Sequence, residues 1–273
     1  MADERILITG SSGRVGTLLR PLLARPGRVL RLFDPRPPQA LPGTGAEEVV
    51  PGSVTDLDAL VAALQDVDAV LHLGGHSHEA GAEDVLRVDA YGAYCLLEAA
   101  RRTGVTRILL GSSNHVAGFH RLSEHPGEVP GDVEARPDTL YGWSKVAIES
   151  AGRLFHDRFG LDVICLRLGQ CFPAPRGPRG LAMWLSPDDC ARLVEAAISV
   201  PGPGFRQVWG ISRNTRRWLS LAEGEAIGYR PEDDAEEYAE KIVAECGEPD
   251  MAADPELNRI GGSWCDRPLG AAG

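Results

Sequence analysis

Positive charge is scarce in this sequence. The 28 Lys and Arg residues are outnumbered by 39 Asp and Glu residues, so the net charge at pH 7 is −11. Polyanions repel an acidic protein, which argues against a nucleic-acid or anionic-membrane partner. We therefore expect a small-molecule partner.

Long apolar runs are also missing. No uninterrupted apolar stretch approaches the roughly 20 residues that a membrane helix needs, and no cationic leader precedes an apolar segment at the start of the sequence. The six cysteines form no CxxC pair and no regular framework, as expected of reduced thiols. These absences predict a cytoplasmic protein without a membrane partner.

What the sequence does contain is a regular alternation of two apolar patterns. Short β-type runs occupy residues 5–9, 28–33, 69–73, 107–111 and 162–167. Between them lie stretches whose apolar residues recur three and four apart, at 15–25, 55–65, 82–104 and 142–160. This alternation predicts an α/β fold with a Rossmann-like, doubly wound parallel sheet. Ligands of such sheets bind beyond the carboxyl ends of the strands.

The pattern changes after residue 170. A loop rich in proline, glycine and arginine covers residues 171–180, and Ser186 followed by Pro187 predicts the start of a helix. A further strand at 206–212 and an acidic helix with a solvated face at 232–246 follow. Without repeats or a low-complexity linker, we expect one domain over residues 1–273, with residues 171–273 contributing a small C-terminal substrate lobe.

A glycine-rich turn joins the first predicted strand to the first predicted helix. The stretch "ITGSSGRVG" holds Gly10, Gly13 and Gly16, and such glycines let the backbone approach a pyrophosphate at a helix N-terminus. Asp34 ends the next strand, where a carboxylate can accept hydrogen bonds from adenosine ribose hydroxyls and repel a 2′-phosphate. The pattern predicts NAD rather than NADP, although Arg31 and Arg36 lie close enough in sequence to leave NADP open.

The spacing of these glycines, with two residues in each gap, resembles the extended epimerase/dehydratase-like branch of the short-chain dehydrogenase/reductase superfamily. The resemblance implies a tyrosine and a lysine four apart at a helix start, and "LYGWSK" supplies Tyr141 and Lys145. Residues i and i+4 share a helix face, where a lysine ammonium favours the ionised tyrosine. That tyrosine can take the proton of a substrate hydroxyl while hydride passes to the nicotinamide. Ser113 is expected to orient the reacting oxygen.

Within that branch the sequence looks like the uronate dehydrogenases, over nearly its whole length. The segments "HLGGHSH", "SSNHVAG", "ARPDTLYGWSK" and "CFPAPRGPRGLAMWLSPDD" carry this resemblance. Such enzymes oxidise the anomeric carbon of D-glucuronate or D-galacturonate with NAD and form an aldarolactone. For this sequence the resemblance implies that Arg179 pairs with the sugar carboxylate, as a guanidinium fork suits a planar carboxylate.

Two sets of site residues follow from these motifs. The expected NAD-binding set is Gly10, Ser12, Gly13, Arg14, Val15, Gly16, Asp34, Ser53, Val54, Leu73, Gly74, Gly75, Tyr141 and Lys145. The expected substrate-binding set is Ser77, His78, Ser113, Asn114, His115, Gln170 and Arg179. A homo-oligomer is expected from the family alone.

Three positions depart from the family pattern. Asp89 stands where the branch usually has asparagine, which puts a proton relay through it in doubt. Gln170 replaces a serine near the sugar, and its longer amide brings both a donor and an acceptor that could suit a different substrate. Ser53 replaces an aspartate that commonly touches adenine.

Other functions remain open at this point. His72, His76 and His78 with Glu79 could suggest a metal site, but this ligand set is thin and we expect none. A sugar or nucleotide-sugar epimerase or dehydratase would use the same glycine loop and the same tyrosine and lysine, although the short C-terminal lobe argues against it. A non-catalytic NAD(P) sensor would be expected to lack the tyrosine or the lysine, and this sequence has both.

Overall fold

The computed structural model describes residues 3–36, 38–39, 41, 46–250 and 253–270. Its strands are β1 (Glu4–Thr9), β2 (Arg28–Asp34), β3 (Ala46–Pro51), β4 (Ala69–His72), β5 (Arg107–Ser113), β6 (Asp162–Leu168), β7 (Gln170–Cys171), β8 (Trp184–Leu185) and β9 (Phe205–Gly210). Its α-helices are α1 (Arg14–Leu23), α2 (Leu57–Ala63), α3 (Ala82–Asp84), α4 (Tyr91–Thr103), α5 (Leu140–Phe159), α6 (Gly177–Met183), α7 (Pro187–Ser199), α8 (Ala222–Ala226) and α9 (Ala239–Cys246).

Seven of the strands form one parallel sheet in the order β3-β2-β1-β4-β5-β6-β9. The chain runs outward from β1 to β3, then returns to pair β4 with the other side of β1, with Thr9 opposite both Phe33 and His72. The strand order therefore reverses between β1 and β4, and parallel α/β sheets bind ligands in the crevice at such a point. The parallel, Rossmann-like fold expected from the sequence is confirmed.

Two apolar cores cover the faces of this sheet. Side chains of a strand alternate between faces, so Ile6 and Ile8 join the core beneath α1 and α7, while Leu7 joins the core beneath α2, α4 and α5. A smaller cluster joins α6 to α9. In the described part of the chain, no helix is both long and apolar enough to cross a membrane.

The structure differs from the expected elements at three places. The expected loop at 171–180 ends in the first turn of helix α6, which begins at Gly177. Strand β3 was not predicted, because "AEEVVP" lies at the sheet edge and half of its side chains face solvent, so it lacks an apolar run. The predicted helix at 82–104 is interrupted by a π-helical turn at Val85–Ala90, which holds Asp89 inward and fully buried. Residues 171–273 return to the main sheet through β9.

Candidate active site

The glycine turn packs tightly against the end of β4. Gly10 has φ +66°, and a Cβ built there would lie 2.6 Å from the carbonyl carbon of Leu73. A Cβ on Gly16 would lie 2.8 Å from the Gly10 oxygen. Gly13 begins α1 without a side-chain cap, so the first N–H groups of the helix remain available to a phosphate. This cradle fits the pyrophosphate of a dinucleotide.

Asp34 is held in place at the carboxyl end of β2. Its Oδ2 accepts the Ser12 backbone N–H at 3.2 Å and its Oδ1 accepts the Arg36 N–H at 2.9 Å. Arg31 points elsewhere, with its Nε donating to Glu48 at 2.7 Å. Asp34 therefore opposes a 2′-phosphate while Arg31 is engaged by Glu48, which favours NAD.

A cavity of about 130 Å³ opens beside the glycine turn. Ser53 and Val54 lie outside its lining: the Ser53 hydroxyl is 2.9 Å from the Thr55 hydroxyl, and Val54 is buried. A Cβ on Gly74 would come within 2.6 Å of the Val54 side chain. Val54 and Gly74 therefore fix the distance between the loop after β3 and the loop after β4. The lining residues are Gly10, Gly13, Arg14, Val15, Gly16, Leu73, Gly75, His76, Ser77, Gly111, Ser112, Tyr141, Lys145 and Leu168.

A second cavity of about 280 Å³ adjoins the first. The two share part of their lining, including Arg14, Ser77 and Tyr141, so they form one crevice with the tyrosine between its halves. The second cavity is lined by Arg14, Val15, Ser77, Ser112, Ser113, Asn114, His115, Tyr141, Leu168, Gly169, Gln170, Cys171, Phe172 and Trp264. A larger cleft of about 640 Å³ between α1 and α7 lies away from these strand ends.

Tyr141 and Lys145 project from the first two turns of α5. The helix is capped by Thr139, whose hydroxyl accepts the Gly142 N–H at 3.0 Å. The Lys145 ammonium lies 5.4 Å from the Tyr141 ring centroid, and both side chains are buried. The two side chains therefore share one face of α5 in the wall of the crevice, with the lysine cation beside the tyrosine ring.

Glu79, considered above as a metal ligand, instead holds backbone N–H groups. It is fully buried, and its carboxylate accepts the N–H groups of Leu140 and Tyr141 at 3.2 and 2.9 Å. It also accepts the Gly270 N–H at 2.8 Å. Glu79 thus ties the start of α5, and with it Tyr141, to the C-terminal segment.

His115 is held by two groups that the sequence did not reveal. Its Nδ1 lies 2.7 Å from the Asp138 carboxylate, and its ring stacks on the Trp264 indole with centroids 4.1 Å apart. The Ser113 hydroxyl accepts the His115 backbone N–H at 3.3 Å. Asp138 belongs to the segment "ARPDTLYGWSK" quoted above, but neither it nor Trp264 is close to His115 in sequence, so only the folded chain brings the three together.

Arg179 lies behind the cavity wall and is absent from the lining residues. Its two terminal nitrogens donate to the backbone carbonyls of Arg259 and Ile260. The Ile260 carbonyl also accepts from the side-chain amide of Asn114 at 3.1 Å. Burial lowers the pKa of Arg179 to about 10, so the guanidinium is still charged at pH 7. Among the described residues no carboxylate lies within ion-pair distance of it.

Gln170 contributes an unpaired acceptor to the substrate half of the crevice. Its Oε1 is buried, and no donor among the described residues reaches it. A buried acceptor without a donor costs about 1–3 kcal/mol, and a sugar hydroxyl would satisfy it. His78 is exposed and contacts the edge of the His76 ring, with centroids 5.8 Å apart.

Asp89 is hydrogen bonded on both sides. Its Oδ1 accepts the His76 backbone N–H at 2.7 Å, and its Oδ2 accepts the Ser144 hydroxyl at 2.8 Å. It therefore holds the loop after β4 against α5. His72, also weighed as a metal ligand, lies within β4 with its Nδ1 2.7 Å from the Thr9 hydroxyl, and burial lowers its pKa to about 3.

Residues 6–219 match the model of the NAD dependent epimerase/dehydratase family. The chain belongs to this family. Its members are NAD dependent, which confirms the cofactor and supports the assignment as an enzyme.

Three relatives narrow the position within the family. Uronate dehydrogenase of Pseudomonas putida is 36% identical over 96% of this chain and 95% of its own length. A uronate dehydrogenase variant from Agrobacterium tumefaciens, solved in complex with NAD, has a TM-score of 0.88 at 36% identity and covers 98% of both chains. Glucuronic acid dehydrogenase from Chromohalobacter salexigens has a TM-score of 0.89 at 35% identity and covers 97% of both chains. The resemblance to uronate dehydrogenases is confirmed.

Proposed function

We propose that this chain oxidises a free hexuronic acid at its anomeric carbon, with NAD as the hydride acceptor, and forms an aldarolactone. The observation that carries the proposal is the position of Tyr141, beside Lys145 and between a dinucleotide-type cradle and a second cavity. That second cavity, about 280 Å³, is below the roughly 300–1,000 Å³ of typical drug-sized ligand sites. It suits one monosaccharide better than a nucleotide sugar.

Three side chains have separate roles in the proton transfer. The Tyr141 oxygen takes the proton of the anomeric hydroxyl, and the Lys145 ammonium stabilises the phenolate that does so. The Ser113 hydroxyl accepts the His115 N–H, so its own hydrogen is free to bind the reacting oxygen. NAD, when bound, supplies the acceptor for the hydride that leaves the same carbon.

Three further groups are left free for sugar hydroxyls. The Asn114 amide nitrogen already donates to Ile260, which leaves its carbonyl oxygen. Asp138 occupies the His115 Nδ1, which leaves Nε2. Together with the unpaired Gln170 Oε1, these groups line the sugar half of the crevice.

A uronic acid is favoured over a neutral sugar because a buried arginine lies behind the wall of the sugar half of the crevice. Arg179 is a buried cation whose hydrogen-bond partners are carbonyls rather than carboxylates. Burying a charge is costly. Glu256 and Asp138 act on Arg179 from beyond ion-pair distance, and an anionic substrate on the far side of the Ile260 wall would offset more of that cost.

The first experiment is a substrate panel. Purified protein and NAD are offered D-glucuronate, D-galacturonate, D-glucose, D-galactose and a set of UDP-sugars, and NADH is followed by absorbance. We expect NADH from the uronates and little or none from the neutral hexoses and UDP-sugars. Reaction of a neutral sugar but not of the uronates would contradict the proposal and would direct attention to Gln170.

A matched pair of arginine variants tests the carboxylate assignment. Losing a charge-assisted interaction of about 1.5–3 kcal/mol should raise the KM for uronate about tenfold to hundredfold in Arg179→Gln, while the KM for NAD stays unchanged. Arg213→Gln is the control, since Arg213 also donates to a backbone carbonyl, but to that of Glu232 rather than to the wall segment at Ile260. Equal uronate KM values in the two variants would remove Arg179 from substrate recognition.

A cytoplasmic location and self-association are further parts of this proposal. The six free cysteines are consistent with a reducing compartment. Size-exclusion chromatography with light scattering measures the mass of the assembly directly.

A further inference from the structure

A cluster of metal-type ligands lies outside the crevice. Within the described part of the chain, His120, Glu124 and His125 place three ligand atoms within 4.8 Å of one another. They belong to the segment after the turn at Asn114–Ala117; Glu124 ends the short 3-10 helix Leu122–Glu124, and the two histidines lie on either side of that helix in sequence. We propose that they form a binding site for a divalent cation of the zinc class.

The two imidazoles already have the separation of a chelating pair. The His120 Nδ1 and His125 Nε2 atoms lie 3.2 Å apart. Two nitrogens each about 2.0–2.1 Å from a tetrahedral Zn²⁺ are about 3.3–3.4 Å apart. The observed distance is that of the hydrogen bond between the two rings, so a cation would replace this hydrogen bond after the rings turn to direct both lone pairs onto it.

A backbone carbonyl group fixes the orientation of the His120 ring. Its Nε2 lies 2.8 Å from the Glu134 carbonyl oxygen, which can only accept, so Nε2 carries the proton. The Nδ1 lone pair is then directed toward His125. A ligating histidine that donates its other N–H to a backbone carbonyl is the usual arrangement at metal sites.

Glu124 supplies the third ligand and completes a mixed nitrogen and oxygen set. Its Oε2 lies 3.8 Å from the His120 Nδ1, and the Arg136 guanidinium donates to the same carboxylate at 2.7 Å. The His120 ring is buried, whereas Glu124 is exposed. A cation can therefore enter from solvent and keep water as its fourth ligand.

The site would brace one wall of the crevice. The His120 carbonyl accepts the Ile260 N–H at 3.0 Å, and the Leu122 N–H donates to the Asn258 carbonyl at 3.0 Å. The same C-terminal segment continues into Trp264, which stacks on His115. A bound cation would thus hold the loop that supports this segment.

Cobalt binding tests the proposal directly and does not depend on the enzyme's substrate. A chelator first removes any bound metal, and the chelator is then removed. The protein is titrated with Co²⁺ while the visible absorption of tetrahedral cobalt is followed. We expect one equivalent to bind to the wild type. Losing a residue that only hydrogen-bonds to a metal ligand usually weakens metal binding about 10–100-fold. Because His125 would be a ligand itself, His125→Gln should weaken Co²⁺ binding at least about tenfold.

Two further variants keep the result interpretable. His125 is only partly buried, so His125→Gln should fold even if a His120 variant does not. His156→Gln is the matched control, because His156 also pairs with a backbone carbonyl, at 2.8 Å, but lies on α5 away from the cluster. It should bind Co²⁺ as the wild type does. Equal binding by His125→Gln, or no tetrahedral spectrum in the wild type, would overturn the proposal.

Discussion

Two glycines with left-handed backbones offer a controlled test of the cofactor cradle. Gly10 has φ +66° and Gly104 has φ +79°, and an L-residue in this region costs about 1–2 kcal/mol. A Cβ on Gly104 would meet nothing within 4 Å. Gly104→Ala should therefore lower the free energy of unfolding by about 1–2 kcal/mol through backbone strain alone.

Gly10→Ala should cost more, and should do so at the cofactor site. Its Cβ would lie 2.6 Å from the Leu73 carbonyl carbon, whereas ordinary contacts begin at 3.4 Å, so the two loops must separate by 3.4 − 2.6 = 0.8 Å. Overpacking of this kind costs about 1–3 kcal/mol. The total expected loss is then about 2–5 kcal/mol, and the displaced turn no longer fits a pyrophosphate.

The assays are urea unfolding for stability and intrinsic tryptophan fluorescence for NAD titration. Gly10→Ala should raise the Kd for NAD at least about tenfold, about 1.4 kcal/mol, while Gly104→Ala leaves it unchanged. If both variants bind NAD equally well, the glycine turn does not hold the cofactor and the argument from close backbone approach is wrong.

Three other substitutions test separate parts of the site and the fold. Tyr141→Phe should reduce turnover by about 10²–10⁴-fold or more with NAD binding retained, and near-normal turnover would exclude it as the base. Asp138→Ala should free the His115 ring and raise the sugar KM about tenfold or more without changing the NAD KM; an unchanged sugar KM would contradict this. Burial opposes ionisation of Glu47, yet hydrogen bonding to Arg20 lowers its pKa below the usual value, so its stabilisation is present at neutral pH and lost as pH falls through the folded-state pKa. Glu47→Gln should cost about 1–3 kcal/mol at pH 7 and progressively less as pH falls below the ordinary glutamate pKa of about 4.3, measured by urea unfolding at each pH, and a pH-independent difference would refute it.

Most of the sheet could be predicted from the sequence because its central strands are buried on both faces. Such strands appear as continuous apolar runs, and the helices between them keep a spacing of three and four. Strand β3 could not be found this way, since it pairs with β2 alone and exposes Ala46, Val49 and Pro51 at the edge. The π-helical turn that buries Asp89 likewise has no signature in the apolar spacing.

The candidate site likewise has one part that the sequence predicts and another part that it does not. The sequence by itself determined the glycine turn, Asp34 at its strand end and the Tyr141–Lys145 pair, because each depends on spacing within one element or its adjoining turn. Tertiary structure alone decided that Arg179 contacts the backbone of Ile260 and that Trp264 stacks on His115. These contacts join residues 81 and 149 positions apart through irregular segments, and no local periodicity encodes the direction in which such segments return to the sheet.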